Sequence, residues 1–184
     1  MNWEYIHGLF EADGSLYNEK NIPLHNHQRL KITLKQEKVI RNICEFLKKE
    51  KLTPKIFSEE RTLKNGEKRR YWTVRLNKKK EIECFLIKKP KNISWDFIAG
   101  FSDGDGCFRY YNNTQIGMKP LKLFTIHVKK QRKIDLIKRI GEFLKAKNIR
   151  FREFQQVTYN FNITTDYELF KKELRGRQYV KQPV

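Results

Sequence analysis

The sequence predicts an α+β fold built from two pseudo-symmetric αββαββα repeats, and two observations support this prediction. The first is a duplicated motif, IHGLFEADG at residues 6–14 and IAGFSDGDG at residues 98–106. The offset from Asp13 to Asp105 is 92 residues (105 − 13), half of a chain of 184 residues. The second is that the same order of helix and strand patterns follows each copy, which is what an internal duplication produces.

In the first repeat, apolar residues change between a helical and a strand period. Leu30, Ile32 and Leu34 alternate with polar residues, whereas Val39, Ile40, Ile43, Phe46 and Leu47 recur at helical spacing. Asn65-Gly66 indicates a tight hairpin turn. We expect helices over about 3–13 and 80–88 and a middle helix that carries the apolar residues from Val39 to Leu47, with strands over about 15–17, 29–35, 55–63 and 70–77.

The second repeat follows the same plan after a break at Lys89-Pro90-Lys91-Asn92. The endings CEFLK at 44–48 and GEFLK at 141–145 match, so the duplication extends beyond the motif. The predicted repeats are residues 1–91 and 92–184. We expect a helix from about 94, a middle helix that carries Ile134, Ile137, Ile140, Phe143 and Leu144, and a closing helix over about 166–174. Strands are expected over about 107–111 and 122–130, and a hairpin over about 149–164.

The chain is strongly basic, with 40 Lys and Arg against 21 Asp and Glu, a net charge of +19 and a pI near 9.9. A charge of this size predicts a polyanionic partner, and nucleic acid is the common one. No apolar run is long enough to cross a bilayer, so we expect no membrane partner. Cys44, Cys84 and Cys107 form no CxxC pair, which favours reduced thiols in an intracellular protein.

The duplicated motif combines closely spaced small residues with a terminal acid. Gly8 and Ala12, like Gly100 and Gly104, are four residues apart, so one face of each helix carries little side-chain bulk. We expect the two helices to pack against each other there.

Asp13 and Asp105 fall at the helix C-termini, where the helix dipole disfavours a carboxylate. These acids are poorly placed for stability and well placed to bind a cation. Gly14 and Gly106 are predicted to leave the helices in the left-handed conformation.

Both nine-residue motifs resemble the signature of the LAGLIDADG homing endonucleases, in particular the single-chain branch with two motifs. The resemblance implies antiparallel sheets that form a DNA-binding saddle. It implies that Asp13 and Asp105 ligate Mg²⁺, with Mn²⁺ as a substitute, helped by the carbonyls of Ala12 and Gly104. Glu11 and Asp103 match a position that is usually structural in the family.

The family often places a Lys and a Gln near the end of the second strand, where they line the catalytic pocket. Lys35 and Gln36 occupy that position in the first repeat. In the second repeat, strand parity selects Lys129, whereas matching the Lys-Gln pair selects Lys130 and Gln131. One residue inserted before the following helix leaves both assignments open.

Strand alternation predicts a polar sheet face directed away from the helices. Such a face suits the major groove of duplex DNA, because Lys and Arg reach phosphates or guanine while Asn reads adenine. The candidate DNA contacts are Arg29, Lys31, Thr33, Tyr71, Thr73 and Arg75 in the first repeat, and Thr125, His127, Arg150, Arg152, Asn160 and Asn162 in the second.

The sequence therefore predicts a site-specific homing endonuclease. It would make staggered double-strand breaks by metal-dependent phosphodiester hydrolysis, acting as a monomer on an asymmetric double-stranded DNA target. One alternative on the same fold is an RNA-splicing maturase, whose partner would be RNA. Another is a DNA-binding protein without catalytic activity, which would not need both acids.

Overall fold

The computed structural model describes residues 1–18, 28–111, 121–128, 131–155 and 159–179. The first repeat contains α1 (Trp3–Asp13), β1 (Gly14–Asn18), β2 (Gln28–Leu34), α2 (Glu37–Lys49), β3 (Lys55–Thr62), β4 (Lys68–Leu76) and α3 (Lys79–Ile87). The second contains α4 (Trp95–Asp105), β5 (Gly106–Tyr111), β6 (Leu121–Val128), α5 (Gln131–Ala146), β7 (Arg152–Gln155), β8 (Tyr159–Ile163) and α6 (Tyr167–Leu174).

Each repeat forms its own four-stranded antiparallel sheet. The strand orders are β1-β2-β4-β3 and β5-β6-β8-β7, so the two sheets have the same topology. The registers correspond as well, because Gly14 lies opposite Ile32 and Gly106 lies opposite Ile126. The predicted α+β fold is confirmed, while the repeat boundary at residue 91, between α3 and α4, stays a prediction.

The same aromatic cluster anchors the helices of each repeat. Trp3 lies edge-on to Phe46 of α2, with ring centroids 5.3 Å apart, and contacts Phe85 of α3 at 5.7 Å. In the second repeat, Trp95 contacts Phe143 at 5.2 Å and Phe170 at 6.0 Å. Edge-to-face aromatic pairs stabilise such packing beyond the apolar area they bury. These clusters make Phe46 and Phe143 equivalent positions.

Helices α1 and α4 pack directly against each other through their glycines. A β-carbon on Gly8 would lie 2.0 Å from the carbonyl oxygen of Phe97, and one on Gly100 would lie 2.0 Å from that of Tyr5. The two contacts are reciprocal, as expected for elements related by a two-fold axis. The predicted helix interface, including Ala12 and Gly104, is therefore present.

The N-termini of these two helices are also tied together. Asn2 caps α1 and donates to the Asp96 carboxylate of α4 at 3.0 Å. Ser94 caps α4 and donates to the Glu4 carboxylate of α1 at 2.8 Å. Each cap thus contacts the acid in the first turn of the other helix, which fixes the helices at the end remote from the acidic turns.

The prediction that Gly14 and Gly106 adopt the left-handed conformation is wrong. Their φ angles are −79° and −80°, because the chain passes from each helix directly into an extended strand. Glycine is required for space instead. A β-carbon would lie 2.4 Å from the Phe10 carbonyl oxygen at Gly14, and 2.6 Å from that of Ser102 at Gly106.

Candidate metal centre and nucleic-acid interface

The paired helices bring the two motif acids to one junction. Asp13 and Asp105 are the last residues of α1 and α4, and each is followed at once by the first strand of its sheet. A β-carbon on Gly104 would lie 2.3 Å from the Ala12 β-carbon and 2.9 Å from the Asp13 carboxylate. Because Gly104 has no side chain, Asp13 can approach α4, the helix that ends at Asp105.

A lysine from a third element joins these acids. The Lys133 ammonium of α5 donates to the Ala12 carbonyl oxygen at 2.8 Å and also to the Asp105 carboxylate. The Lys133 and Asp105 side chains are only 13% and 23% exposed, so solvent screens this pair weakly. One ammonium thus links α1 of the first repeat to α4 of the second.

The donor chemistry of the junction fits a hard divalent cation. Asp13, Asp105 and the Ala12 carbonyl supply oxygen atoms, which Mg²⁺ and Mn²⁺ prefer. Within the described residues, no three His, Cys, Asp or Glu side chains cluster to form a metal site. Mg²⁺ commonly completes its coordination with carbonyl, water or phosphate oxygens.

Lys133 was not predicted as a site residue, because the sequence alone indicated only one inserted residue before α5. From Ile32 to the equivalent anchor Phe46 there are 14 positions, and from Ile126 to Phe143 there are 17, so three residues are inserted. Accordingly, α5 has 16 residues where α2 has 13. Counting back from Phe46 and Phe143, Lys133 is equivalent to Gln36.

Of the other predicted pocket residues, the structure describes the side chains of Lys35 and Gln36 only. Lys35 is exposed, with its ammonium 6.0 Å from the ring centroid of Tyr71, and Gln36 is the exposed residue before α2. Lys129 and Lys130 lie outside the described residues. Gln131 begins α5, but its side chain is outside the described part. The pocket role of these five residues stays a prediction.

The acids two positions before the motif aspartates are held by other partners. Asp103 is 2% exposed and accepts hydrogen bonds from the Tyr5 hydroxyl at 2.6 Å and the Tyr179 backbone N–H at 2.7 Å. Burial, reinforced by the Asp103 charge, raises the pKa of Tyr5. Glu11 accepts from the Lys89 ammonium at 2.6 Å. These contacts agree with a structural role for both acids.

The outer face of the first sheet carries the basic residues predicted to contact DNA. Leu30, Ile32 and Leu34 are buried against the helices, so the residues between them lie on the opposite face. Lys31 lies opposite Arg75, and Thr33 lies opposite Thr73. The register therefore places on this outer face the candidates Arg29, Lys31, Thr33, Tyr71, Thr73 and Arg75.

Several cations on this face lie over aromatic rings. The Arg75 guanidinium is 4.4 Å from the ring centroid of Phe57, and the Lys31 ammonium is 5.5 Å from that of Tyr17. A depression of about 120 Å³ lies among Tyr17, Arg29, Lys31 and Arg75. Aromatic rings hold the cations in place, which preorganises positive charge for an anion.

Among the residues whose side chains are described, the outer face of the second sheet carries fewer of the predicted basic DNA contacts than the first. Thr125 lies opposite Asn162, which in turn lies opposite Arg152, so these residues share the predicted face. His127 and Asn160 pair in the strand register, but their side chains are outside the described part. The two faces thus differ in chemistry despite their common topology.

Two threonines on these faces are too buried to reach a duplex. Thr73 is 6% exposed and its hydroxyl lies 2.8 Å from that of Thr33, while Thr125 is 1% exposed. Their side chains contribute to packing of the sheets. The prediction that they contact DNA is corrected accordingly, because strand alternation identifies a face but not its depth.

Arg150 also departs from its predicted place. It precedes β7, and its guanidinium forms a bidentate pair with Asp166, with both N–O distances at 2.9 Å. This arginine lowers the pKa of Asp166 to about 2. Arg150 therefore ties the start of the second hairpin to α6 and does not share the sheet face with Arg152.

Comparison with known proteins supports the resemblance on two levels. Residues 98–173 match the family model described as LAGLIDADG endonuclease. The fold of I-DmoI in complex with DNA and Ca matches with a TM-score of 0.68 and 20% identity, covering 97% of this chain and 92% of that one. A comparison with curated protein sequences gave no match.

Two further solved structures share the fold. The meganuclease I-AabMI bound to uncleaved DNA matches with a TM-score of 0.67 and 11% identity, covering 99% of this chain and 86% of that one. I-CpaMI bound to uncleaved DNA matches with a TM-score of 0.63 and 14% identity, covering 95% and 85%. The predicted resemblance is therefore confirmed: the second repeat matches the LAGLIDADG endonuclease family, and the whole chain has the fold of the LAGLIDADG meganucleases.

Proposed function

We propose that this protein is a site-specific homing endonuclease that makes a staggered double-strand break in duplex DNA. The observation that carries the proposal is the convergence of the paired acids. Asp13 and Asp105 come from different repeats, yet the packing of α1 on α4 brings both to one junction. A scaffold that only bound DNA would gain nothing from acids at two helix C-termini, where the dipole opposes them.

Asp13, Asp105 and the Ala12 carbonyl would hold Mg²⁺, and Mn²⁺ would substitute. A bound divalent ion activates water for attack on the phosphodiester and stabilises the charge that develops on the phosphate oxygens. Solved structures of I-DmoI with DNA contain Ca or Mn, which supports the use of a divalent ion by this fold. The chain's own contribution is to fix two carboxylates where two strands of a duplex can reach them.

The outer faces of the two sheets would form the saddle that binds the duplex. Arg29, Lys31 and Arg75 would contact phosphates or guanine edges through the first sheet, and Arg152 and Asn162 would act through the second. Because the described residues of the first face are more basic than those of the second, we propose an asymmetric target. A single chain already supplies both faces, so we propose that the enzyme acts as a monomer.

We also propose an intracellular location, in a compartment with a DNA target. The three cysteines are unpaired, as is usual where thiols stay reduced. Among the described helices, none has the length and apolarity needed to cross a membrane.

Selection of cleaved sites from a randomised duplex library tests the proposed activity. We expect the wild-type protein with Mg²⁺ to enrich one asymmetric sequence family, with staggered ends at a fixed position. Asp13→Asn and Asp105→Asn serve as matched controls, since each keeps the side-chain volume and removes the charge. Both should retain binding while losing double-strand cleavage by at least about 10³-fold, given the size of electrostatic catalytic contributions. Recovery of no cleaved sequence, or wild-type cleavage by either variant, would refute the proposal.

A further inference from the structure

The contacts of Lys133 place a positive charge inside the candidate metal centre. Its ammonium donates to the Ala12 carbonyl and to the Asp105 carboxylate, two of the oxygen donors described for a divalent ion. Both residues of the pair are largely buried, with side chains 13% and 23% exposed. The ammonium is therefore part of the site and not an exposed surface charge.

An ammonium and a divalent cation that share these oxygens at bonding distance repel each other strongly, even though Asp105 has a second carboxylate oxygen. A metal ion at the Asp105 side would meet a like charge that already uses the same carboxylate and the same carbonyl. Either the ion stays away from these atoms, or Lys133 withdraws from them when the ion binds. A lysine side chain can move in this way, because its ammonium is carried on a flexible four-carbon chain.

The residue equivalent to Lys133 in the first repeat carries no charge. Lys133 is equivalent to Gln36, which is neutral, exposed and placed before α2 without a side-chain cap bond. The difference follows from the three residues inserted before α5, which start this helix one turn earlier. The duplication therefore does not account for a lysine at this position of the second repeat.

We infer that Lys133 is a built-in cation that neutralises the metal centre when no metal is bound, and that a divalent ion must displace it from Asp105 and the Ala12 carbonyl. This inference rests on the metal centre of the proposed function, and it adds that Lys133 regulates the binding of metal there. In the metal-free protein, Lys133 holds the two repeats together at the acidic turns. The need to displace Lys133 weakens metal binding at Asp105 until the phosphate of a bound duplex contributes further oxygen ligands.

Mn²⁺ binding to the DNA-free protein, measured by calorimetry or by electron paramagnetic resonance, tests this inference without any cleavage assay. Lys133→Met removes the ammonium and keeps most of the side-chain bulk. Lys138→Met is the matched control, because it removes the same charge from an exposed position of α5. We expect Lys133→Met to bind Mn²⁺ about tenfold more tightly than Lys138→Met, the effect of losing one competing charge-assisted hydrogen bond. Equal affinities would overturn the inference.

Thermal unfolding of the same variants in EDTA gives an independent readout. Lys133→Met should unfold at a lower temperature than Lys138→Met in EDTA, and saturating Mn²⁺ should abolish the difference. A difference that persists unchanged with Mn²⁺ would mean that Lys133 is not displaced.

The wild-type protein provides a measurement that does not depend on how a variant folds. Lysine acylation, followed by mass spectrometry, reports whether the Lys133 amine is engaged. We expect slow labelling of Lys133 in EDTA and faster labelling with Mn²⁺, while labelling of Lys138 stays constant. No change at Lys133 under saturating Mn²⁺ would contradict displacement.

The inference and the proposed function fail in different ways. Cleavage of a selected target, together with equal Mn²⁺ affinity of the two lysine variants, would refute only the role of Lys133. Tighter binding by Lys133→Met, without cleavage of any duplex, would refute only the nuclease.

Discussion

Gly8 of α1 lies so close to Phe97 of α4 that a β-carbon on Gly8 would come within 2.0 Å of the Phe97 carbonyl oxygen. Side chains do not separate the two helices at this point, so their backbones set the spacing. The junction of the acidic turns one turn further along depends on that spacing. The small residues of the motif are therefore part of the site, even though they carry no reactive group.

The Gly8→Ala substitution tests whether the helix spacing depends on Gly8, because the sign of the change in stability differs between the two cases. In an ordinary helix, Gly→Ala stabilises by about 1 kcal/mol. Here we expect a loss of about 3 kcal/mol or more, because the methyl group meets backbone that cannot move without separating the helices. Urea unfolding monitored by circular dichroism measures the change. A more stable Gly8→Ala variant would show that the helices are not in contact.

The fold and the acid pair could be predicted because both depend on periodicity and duplication. The four-residue spacing of Gly8 and Ala12, and of Gly100 and Gly104, predicted the helix interface. Alternation in β2 predicted the polar face of that strand. Lys133 could not be predicted, since its position depends on where α5 begins after an insertion. Arg150 was misplaced for a related reason: strand alternation does not show where β7 starts or that Asp166 lies nearby.

Removal of the Tyr5 hydroxyl should destabilise the protein. Tyr5 donates at 2.6 Å to the buried Asp103 carboxylate, and the equivalent residue in the second repeat is a phenylalanine, Phe97. We expect Tyr5→Phe to lower the free energy of unfolding by about 2 kcal/mol, because a buried charge loses a hydrogen-bond donor. Tyr71→Phe on the outer sheet face is the control and should change it by less than about 0.5 kcal/mol. Chemical denaturation distinguishes the two outcomes, and equal effects would contradict this role of Asp103.

His7 should make the protein sensitive to mild acid. The residue is 1% exposed, and burial lowers the pKa of its imidazole from 6.5 to about 4, with Lys89 acting in the same direction and Glu11 in the opposite one. Between these two pKa values the unfolded chain binds a proton that the folded chain does not. The contribution of His7 to the free energy of unfolding is therefore fully present above about pH 6.5. It is lost as the pH falls towards 4, by up to about 3 kcal/mol.

A titration of unfolding free energy from pH 8 to pH 4 measures this contribution. His7→Gln cannot titrate, so it should lack this part of the pH dependence while sharing the part due to carboxylates. If wild type and His7→Gln lose stability in parallel, His7 does not stay neutral in the core.

Arg75 should contribute to DNA binding through the first sheet. We expect Arg75→Ala to weaken binding of the selected duplex about tenfold, and to reduce the slope of log affinity against log salt by about 0.9 if a phosphate is its partner. Lys48→Ala on α2 is the control, because this exposed lysine lies on the helix that covers the other face of the sheet. Fluorescence anisotropy at several salt concentrations compares them. Equal losses would exclude the outer face as the specific DNA surface.

Asp13 and Asp105, which come from separate repeats, are proposed to hold one shared divalent metal centre. Anomalous diffraction from crystals of the protein with its selected duplex and Mn²⁺ tests this proposal most directly. We predict anomalous peaks at the ends of α1 and α4, within about 2.5 Å of oxygen atoms from both carboxylates. Peaks that contact neither aspartate, or carboxylates too far apart to share a centre, would contradict the account.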